Sequence, residues 1–201
     1  SATIAGDVNG DGLADIVIGD SNSNVYVVYG GTQITTTTLA TIENDSSLGF
    51  AMKGSYGDGW NTFGLGDINN DGFDDIGAWQ YPDQGLLIVF GAESQNSATD
   101  SEIVSSSRGY LMSTNEAGSR FGLQAISGDF NGDGFSDLVV TEPRAADGGS
   151  RRGSAYILFG GTDTFDPNAL LNLAAEDRDS DKIVKISGDI NGAEIGADLA
   201  M

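Results

Sequence analysis

One nine-residue pattern constrains this chain more than any other feature: Asp-x-Asn-x-Asp-Gly-x-x-Asp. It occurs as DVNGDGLAD at 7–15, DINNDGFDD at 67–75 and DFNGDGFSD at 129–137, with a degraded copy, DINGAEIGAD, at 189–198. The leading Asp stands at 7, 67, 129 and 189, giving intervals of 60, 62 and 60 residues. A single motif of this kind arises easily, because Asp, Asn and Gly favour turns. Three copies in register define an internal repeat, and a repeat of this length implies stacked supersecondary units.

Each intact loop is followed by a short apolar run: Ile16-Val17-Ile18, Ile76-Gly77-Ala78-Trp79 and Leu138-Val139-Val140. A second run follows after a turn, at 25–29, 86–90 and 155–159, and ends in Gly. Runs of this length, rich in β-branched, aromatic and aliphatic residues and bounded by Gly, read as strands. They do not alternate cleanly with polar residues, which fits sheets covered on both faces. Further strands are expected at 49–54 with its counterpart at 110–112, and leading into the loops at 63–66 and 121–126. Four short antiparallel strands per sixty residues is the make-up of a propeller blade. The expected fold is therefore all-β, a β-propeller segment of about three repeats plus a partial one. Residues 1–201 are expected to form one propeller region, part of a larger closed ring.

The loops present oxygen ligands at alternating positions. In the first these are Asp7, Asn9, Asp11, the Leu13 carbonyl and Asp15. In the second they are Asp67, Asn69, Asp71, the Phe73 carbonyl and Asp75. In the third they are Asp129, Asn131, Asp133, the Phe135 carbonyl and Asp137. Ca²⁺ takes 6–8 oxygens, whereas Mg²⁺ prefers a small octahedral shell rich in water. Gly12, Gly72 and Gly134 allow the positive φ of a tight wrap. Carboxylates held this close repel one another unless a cation intervenes. About three Ca²⁺ sites are expected; ordinary Asx turns are the alternative. The fourth loop has lost the position-5 Asp and position-6 Gly, and is expected to bind calcium poorly or not at all. An EF-hand would need Glu at position 12, where this chain has Ile18, Ala78 and Val140 in strand-like runs.

Composition narrows the partners. With 30 acidic and 9 basic residues the formal charge is −21, a field that repels nucleic-acid phosphate and anionic lipid. The chain has no Cys and no His, so disulfides, Zn–Cys/His sites and His-based triads are excluded within it. No stretch approaches the ~20 apolar residues of a membrane helix. Neither nucleic acid nor membrane insertion is expected.

Phe121-Gly122, followed by Gly128 and the loop 129–137, then Leu138-Val139-Val140 and the run from Gly153 to Gly160, resembles an FG-GAP repeat. This is the repeat of integrin α propellers and of many bacterial secreted or surface proteins. The resemblance extends over nearly the whole chain. In the second repeat Phe63-Gly64 sits four residues before Asp67 rather than eight. The resemblance implies four-stranded blades, usually seven, with a calcium loop between the first and second strands of each. It also implies an extracellular or cell-surface setting and roles in adhesion or ligand binding. The loop residues named above carry over as metal ligands. The remaining blades are expected from the same parent chain or from a second copy. Asp198-Leu199-Ala200 is expected to open a further second strand.

Two functional classes follow. One is a non-catalytic, calcium-stabilised recognition, adhesion or scaffold module with a protein or carbohydrate ligand. Its binding loops would include the 143–153 connection with Arg144, Arg151 and Arg152, although local charge balance explains those arginines equally well. Trp60, Trp79 and Tyr81 are candidates for stacking on sugars or for core packing. The other class is an enzyme, or an accessory part of a larger secreted hydrolase or lipase with catalysis elsewhere. Asp74 and Asp75 could form an acid–base pair, but they lie inside the loop motif, and no nucleophile elbow or phosphate loop occurs.

Overall fold

The computed structural model describes residues 1–31, 38–54, 61–80, 85–114, 116–161 and 182–199. These form three antiparallel sheets, each with its strands in chain order. The first blade contains β1 (Ala2–Gly6), β2 (Asp15–Gly19), β3 (Asn24–Val28) and β4 (Gly49–Lys53). The second contains β5 (Thr62–Gly66), β6 (Asp75–Gln80), β7 (Gly85–Val89) and, after the two-residue β8 (Ala98–Thr99), β9 (Gly109–Met112). The third contains β10 (Ala125–Gly128), β11 (Asp137–Glu142), β12 (Ser154–Leu158) and β13 (Ile183–Ser187). β8 pairs in parallel with β4 and extends the first sheet. Each nine-residue loop joins the first and second strands of its blade, as expected.

The blades meet along their first strands, β1 against β5 and β5 against β10. Two apolar cores fill the gaps. Val17, Val27, Phe50 and Met52 of the first blade face Ile76, Ala78, Leu87 and Val89 of the second. Leu86, Ile88, Tyr110 and Met112 face Leu138, Val140, Tyr156 and Leu158 of the third. Successive side chains of a strand point to opposite faces, so Leu86 and Leu87 feed different cores and all of β7 is buried. This explains why the apolar runs lack polar alternation. On the far face of the third blade, Ile126, Val139, Ile157 and Val184 stand in one cross-strand row. Val184 and Ile186 there are exposed.

Two short helices, α1 (Leu39–Asn44) and α2 (Asp100–Ser105), bridge the third and fourth strands of the first two blades. Six residues cannot sustain a helix without help. Thr38 and Thr99 cap them, Thr99 and Glu102 forming a reciprocal capping box. Ile42 and Ile103 anchor them by burial.

Two sequence expectations are corrected. The stretch 121–124 is a turn, and the strand begins only at Ala125. Arg120 and Gly122 adopt φ of 60° and 83°, which no strand accommodates. Phe121 instead plugs the core edge-on to Tyr156, centroids 5.7 Å apart, and its carbonyl accepts from Trp79 Nε1 at 3.1 Å. The pair Phe63-Gly64, by contrast, lies within β5. The second correction is at 198–199, which is not strand; Ala200 lies outside the described residues.

Candidate cation-binding loops

One hydrogen-bond design recurs in the three intact loops. Asp7 Oδ1 accepts from the Asp11 N–H at 3.0 Å and Oδ2 from the Gly12 N–H at 2.9 Å. Asn9 Oδ1 accepts from Asp11 N–H, and Asp11 Oδ1 from Leu13 N–H. Asp67, Asn69 and Asp71 repeat these bonds with the N–H groups of Asp71, Gly72 and Phe73. Asp129, Asn131 and Asp133 repeat them with Asp133, Gly134 and Phe135. In the second and third loops all eight distances fall between 2.9 and 3.1 Å. The position-6 glycines have φ of 86°, 96° and 92°, the left-handed region where a side chain is strained.

The last Asp of each loop does a different job. Asp15, Asp75 and Asp137 are fully buried. One oxygen accepts from the position-2 N–H of Val8, Ile68 or Phe130, at 2.8, 3.0 and 2.7 Å. The other accepts from the glycine N–H that ends the third strand's run, at Gly30, Gly91 or Gly160 (2.7, 2.9 and 2.7 Å). Each is a strut from the loop across the sheet. Burial pushes the Asp15 carboxyl above its ordinary range, against the two N–H bonds, and Asp11 and Asp7 add to the rise. Burial likewise pushes Asp75 up to about 8, with Asp71 and Asp67 contributing.

The donor set suits a hard cation. It is all oxygen, and each oxygen of Asp7 spends one lone pair on an N–H where a carboxylate oxygen has two. Among the described residues the Leu13, Phe73 and Phe135 carbonyls accept no hydrogen bond. Among the described residues no three His, Cys, Asp or Glu side chains converge on a metal position. The third carboxylate of each loop acts as a strut, and each of its oxygens keeps a second lone pair beyond the N–H bond it accepts.

The fourth copy is built differently. β13 leads straight into Asp189 as β10 leads into Asp129, so the repeat implies a first strand. It instead pairs with β12 as the outermost strand, which brings the 189–198 segment to the end of the sheet where 143–153 lies. Glu194 N–H and Ile195 N–H donate to the Arg151 and Arg152 carbonyls, and Gly192 N–H to that of Ser150. Those N–H groups are therefore not available to Asp189. Glu194 lies 3.6 Å from Arg151 and 3.9 Å from Arg144, and Arg152 Nε donates to Asn191 Oδ1. Arg144 and Arg151 thus balance the Glu194 charge, while Arg152 braces the segment through Asn191 and the Asp147 carbonyl.

Trp79 is buried with its indole N–H bonded, a core role; Trp60 and Tyr81 lie outside the described residues. Asp74 and Asp75 make no acid–base pair. Asp75 is a strut, and Asp74 Oδ2 accepts from Asp7 N–H in the neighbouring blade at 2.6 Å. Sequence reading missed this contact; its only trace is an acidic residue at position 8, where the other loops have Ala14 and Ser136. Among the described residues no helix is long and apolar enough to cross a membrane.

Four-stranded antiparallel sheets joined along their first strands, each with the same loop between first and second strands, define an array of β-propeller blades. Residues 121–158 match the family described as FG-GAP repeat, so the chain carries an FG-GAP repeat of the integrin-α type. It is 30% identical over 177 residues to integrin alpha pat-2 of Caenorhabditis briggsae, across 81% of this chain and 14% of that protein. It is 27% identical over 166 residues to phosphatidylinositol-glycan-specific phospholipase D of Rattus norvegicus, across 73% of this chain and 19% of that one. The human phospholipase D is 24% identical over 188 residues, across 84% and 21%. The chain thus spans about a fifth or less of these relatives' length.

Proposed function

We propose that the three intact loops bind Ca²⁺ and that the blade array is a non-catalytic, calcium-stabilised recognition or scaffold module of a secreted or cell-surface protein. The carrying observation is one loop network repeated three times, with oxygen ligands only. Asp7, Asn9, Asp11 and the Leu13 carbonyl hold the first ion. Asp67, Asn69, Asp71 and the Phe73 carbonyl hold the second; Asp129, Asn131, Asp133 and the Phe135 carbonyl hold the third. Asp15, Asp75 and Asp137 fix the loops and have lone pairs left for the ion. The bound ion neutralises carboxylates that otherwise repel, so it stabilises the fold by binding the native state alone. The 189–198 segment binds none. The ligand is a protein or a carbohydrate met outside the cell. The relatedness to phospholipase D supports a second reading, an accessory region of a larger secreted enzyme.

Thermal unfolding in calcium and in EDTA tests the proposal. Calcium is expected to raise Tm, and Asp133→Ala to lower it in calcium while matching wild type in EDTA. Equal Tm for both proteins in excess calcium would remove the third site.

A further inference from the structure

The junction between the first two blades contains a link that the next junction lacks. Asp74 accepts from the Asp7 N–H through Oδ2 at 2.6 Å, and its own N–H donates to the Asp7 carbonyl at 3.0 Å. Asp74 thus grips both sides of the residue that begins the first loop, while sitting in the second loop immediately before its strut, Asp75. Ala92 N–H adds a bond to the Val8 carbonyl at 2.9 Å. Phe73 lies over Gly10, its ring 2.7 Å from where a Cβ would stand. Gly6 leaves room for all this: a Cβ there would collide with the Asp74 carboxylate, and its φ is 88°. At the second junction Ser136 replaces Asp74. Among the described residues no hydrogen bond joins 67–75 to 129–137, and a Cβ at Gly66, the counterpart of Gly6, would meet only Asp74 Oδ1 of its own loop, at 3.9 Å.

We propose that Asp74 is a positioning residue that couples the first two loops, so that 7–15 and 67–75 take up calcium cooperatively while 129–137 fills independently. This rests on the calcium reading above. An ion in the second loop orders Phe73 and Asp74 and thereby pre-orders Asp7, lowering the ordering cost of the first site. By linkage the first ion favours the second equally. Two neighbouring cations repel; the Asp74 carboxylate at their junction offsets that repulsion.

The test is a calcium titration of the stripped full chain, followed by NMR at the Gly12, Gly72 and Gly134 amides, one reporter per loop. In wild type Gly12 and Gly72 are expected to move together along a curve steeper than one-site binding, and Gly134 separately. Asp74→Ser should split Gly12 from Gly72. Asp71→Ala should weaken the Gly12 response about five-fold or more, but not in the Asp74→Ser background. Should Asp74→Ser fail to fold, Ser136→Asp carries the test by drawing Gly134 towards Gly72. Three independent wild-type curves, or curves unaltered by both position-8 variants, overturn the coupling while leaving calcium binding intact. No amide response to calcium overturns the calcium reading and the coupling with it.

Discussion

The 129–137 loop and the 189–198 segment follow almost the same sequence, Ala-Ile-Ser-Gly in one and Lys-Ile-Ser-Gly in the other, yet they fold differently. In the first, the position-5 and position-6 N–H groups close on Asp129. In the second, the position-5 N–H turns to the Ile190 carbonyl and the next two to the 143–153 connection. The strand before a loop therefore does not decide its fate; positions 5 and 6 do. Asp133 receives the Phe135 N–H, whereas Ala193 has no oxygen to offer. Charge follows the same division. Intact loops concentrate carboxylates, while Glu194 already faces two guanidinium groups.

The sharpest way to break this comparison is at the last Asp. Asp137→Ala removes a fully buried carboxylate and leaves the part-buried N–H groups of Phe130 and Gly160 without their acceptor, and is expected to cost about 3 kcal/mol. Asp198, exposed in the fourth copy, should cost less than about 0.5 kcal/mol on the same change. Urea unfolding measures both, and equal losses would erase the distinction.

A smaller effect concerns pH. Asp75 titrates near 8 when folded, against an ordinary 3.8. The folded state therefore holds a proton that the unfolded chain releases, and stability falls as pH rises between these values. In EDTA the loss from pH 5 to pH 8 is expected to be on the order of 2 kcal/mol, below the limit of about 1.4 kcal/mol per unit. Calcium, by favouring charged loop carboxylates, should shrink it. A flat urea midpoint in EDTA would contradict the burial argument. The smallest effect belongs to Glu194→Gln. Partly exposed ion pairs contribute little, so global stability should stay within about 0.5 kcal/mol. Hydrogen exchange at the Glu194 and Ile195 amides should quicken; unchanged exchange would mean the arginines do not hold the segment.

The loops and most strands could be read from the sequence because their information is local: Gly at position 6, Asp at 1, 5 and 9, apolar runs ending in Gly. α1 and α2 escaped because six residues carry no helical periodicity, although Thr99-x-x-Glu102 was visible as a capping box. Phe121 was misread because Phe-Gly suits either a strand or a plug, and only the core facing it decides. β13 was ambiguous for a deeper reason. Ile-Val-Lys-Ile-Ser suits a first or a fourth strand, and its partner is chosen by distant residues. Its burial is poor beside that of β4, whose Phe50, Ala51 and Met52 are sealed. The strut role of Asp15, Asp75 and Asp137 was equally invisible, since the N–H donors Gly30, Gly91 and Gly160 lie across the sheet.

Those struts bear on how a blade withstands cutting. In the first loop the exposed stretch 10–14 lies between Asp7 and Asp15. Asp15 is held on one side to Val8, upstream of any nick there, and on the other to Gly30. Severing the chain in that stretch would leave both ends moored to the same buried carboxylate, so a nicked blade would cohere until the carboxylate itself was lost.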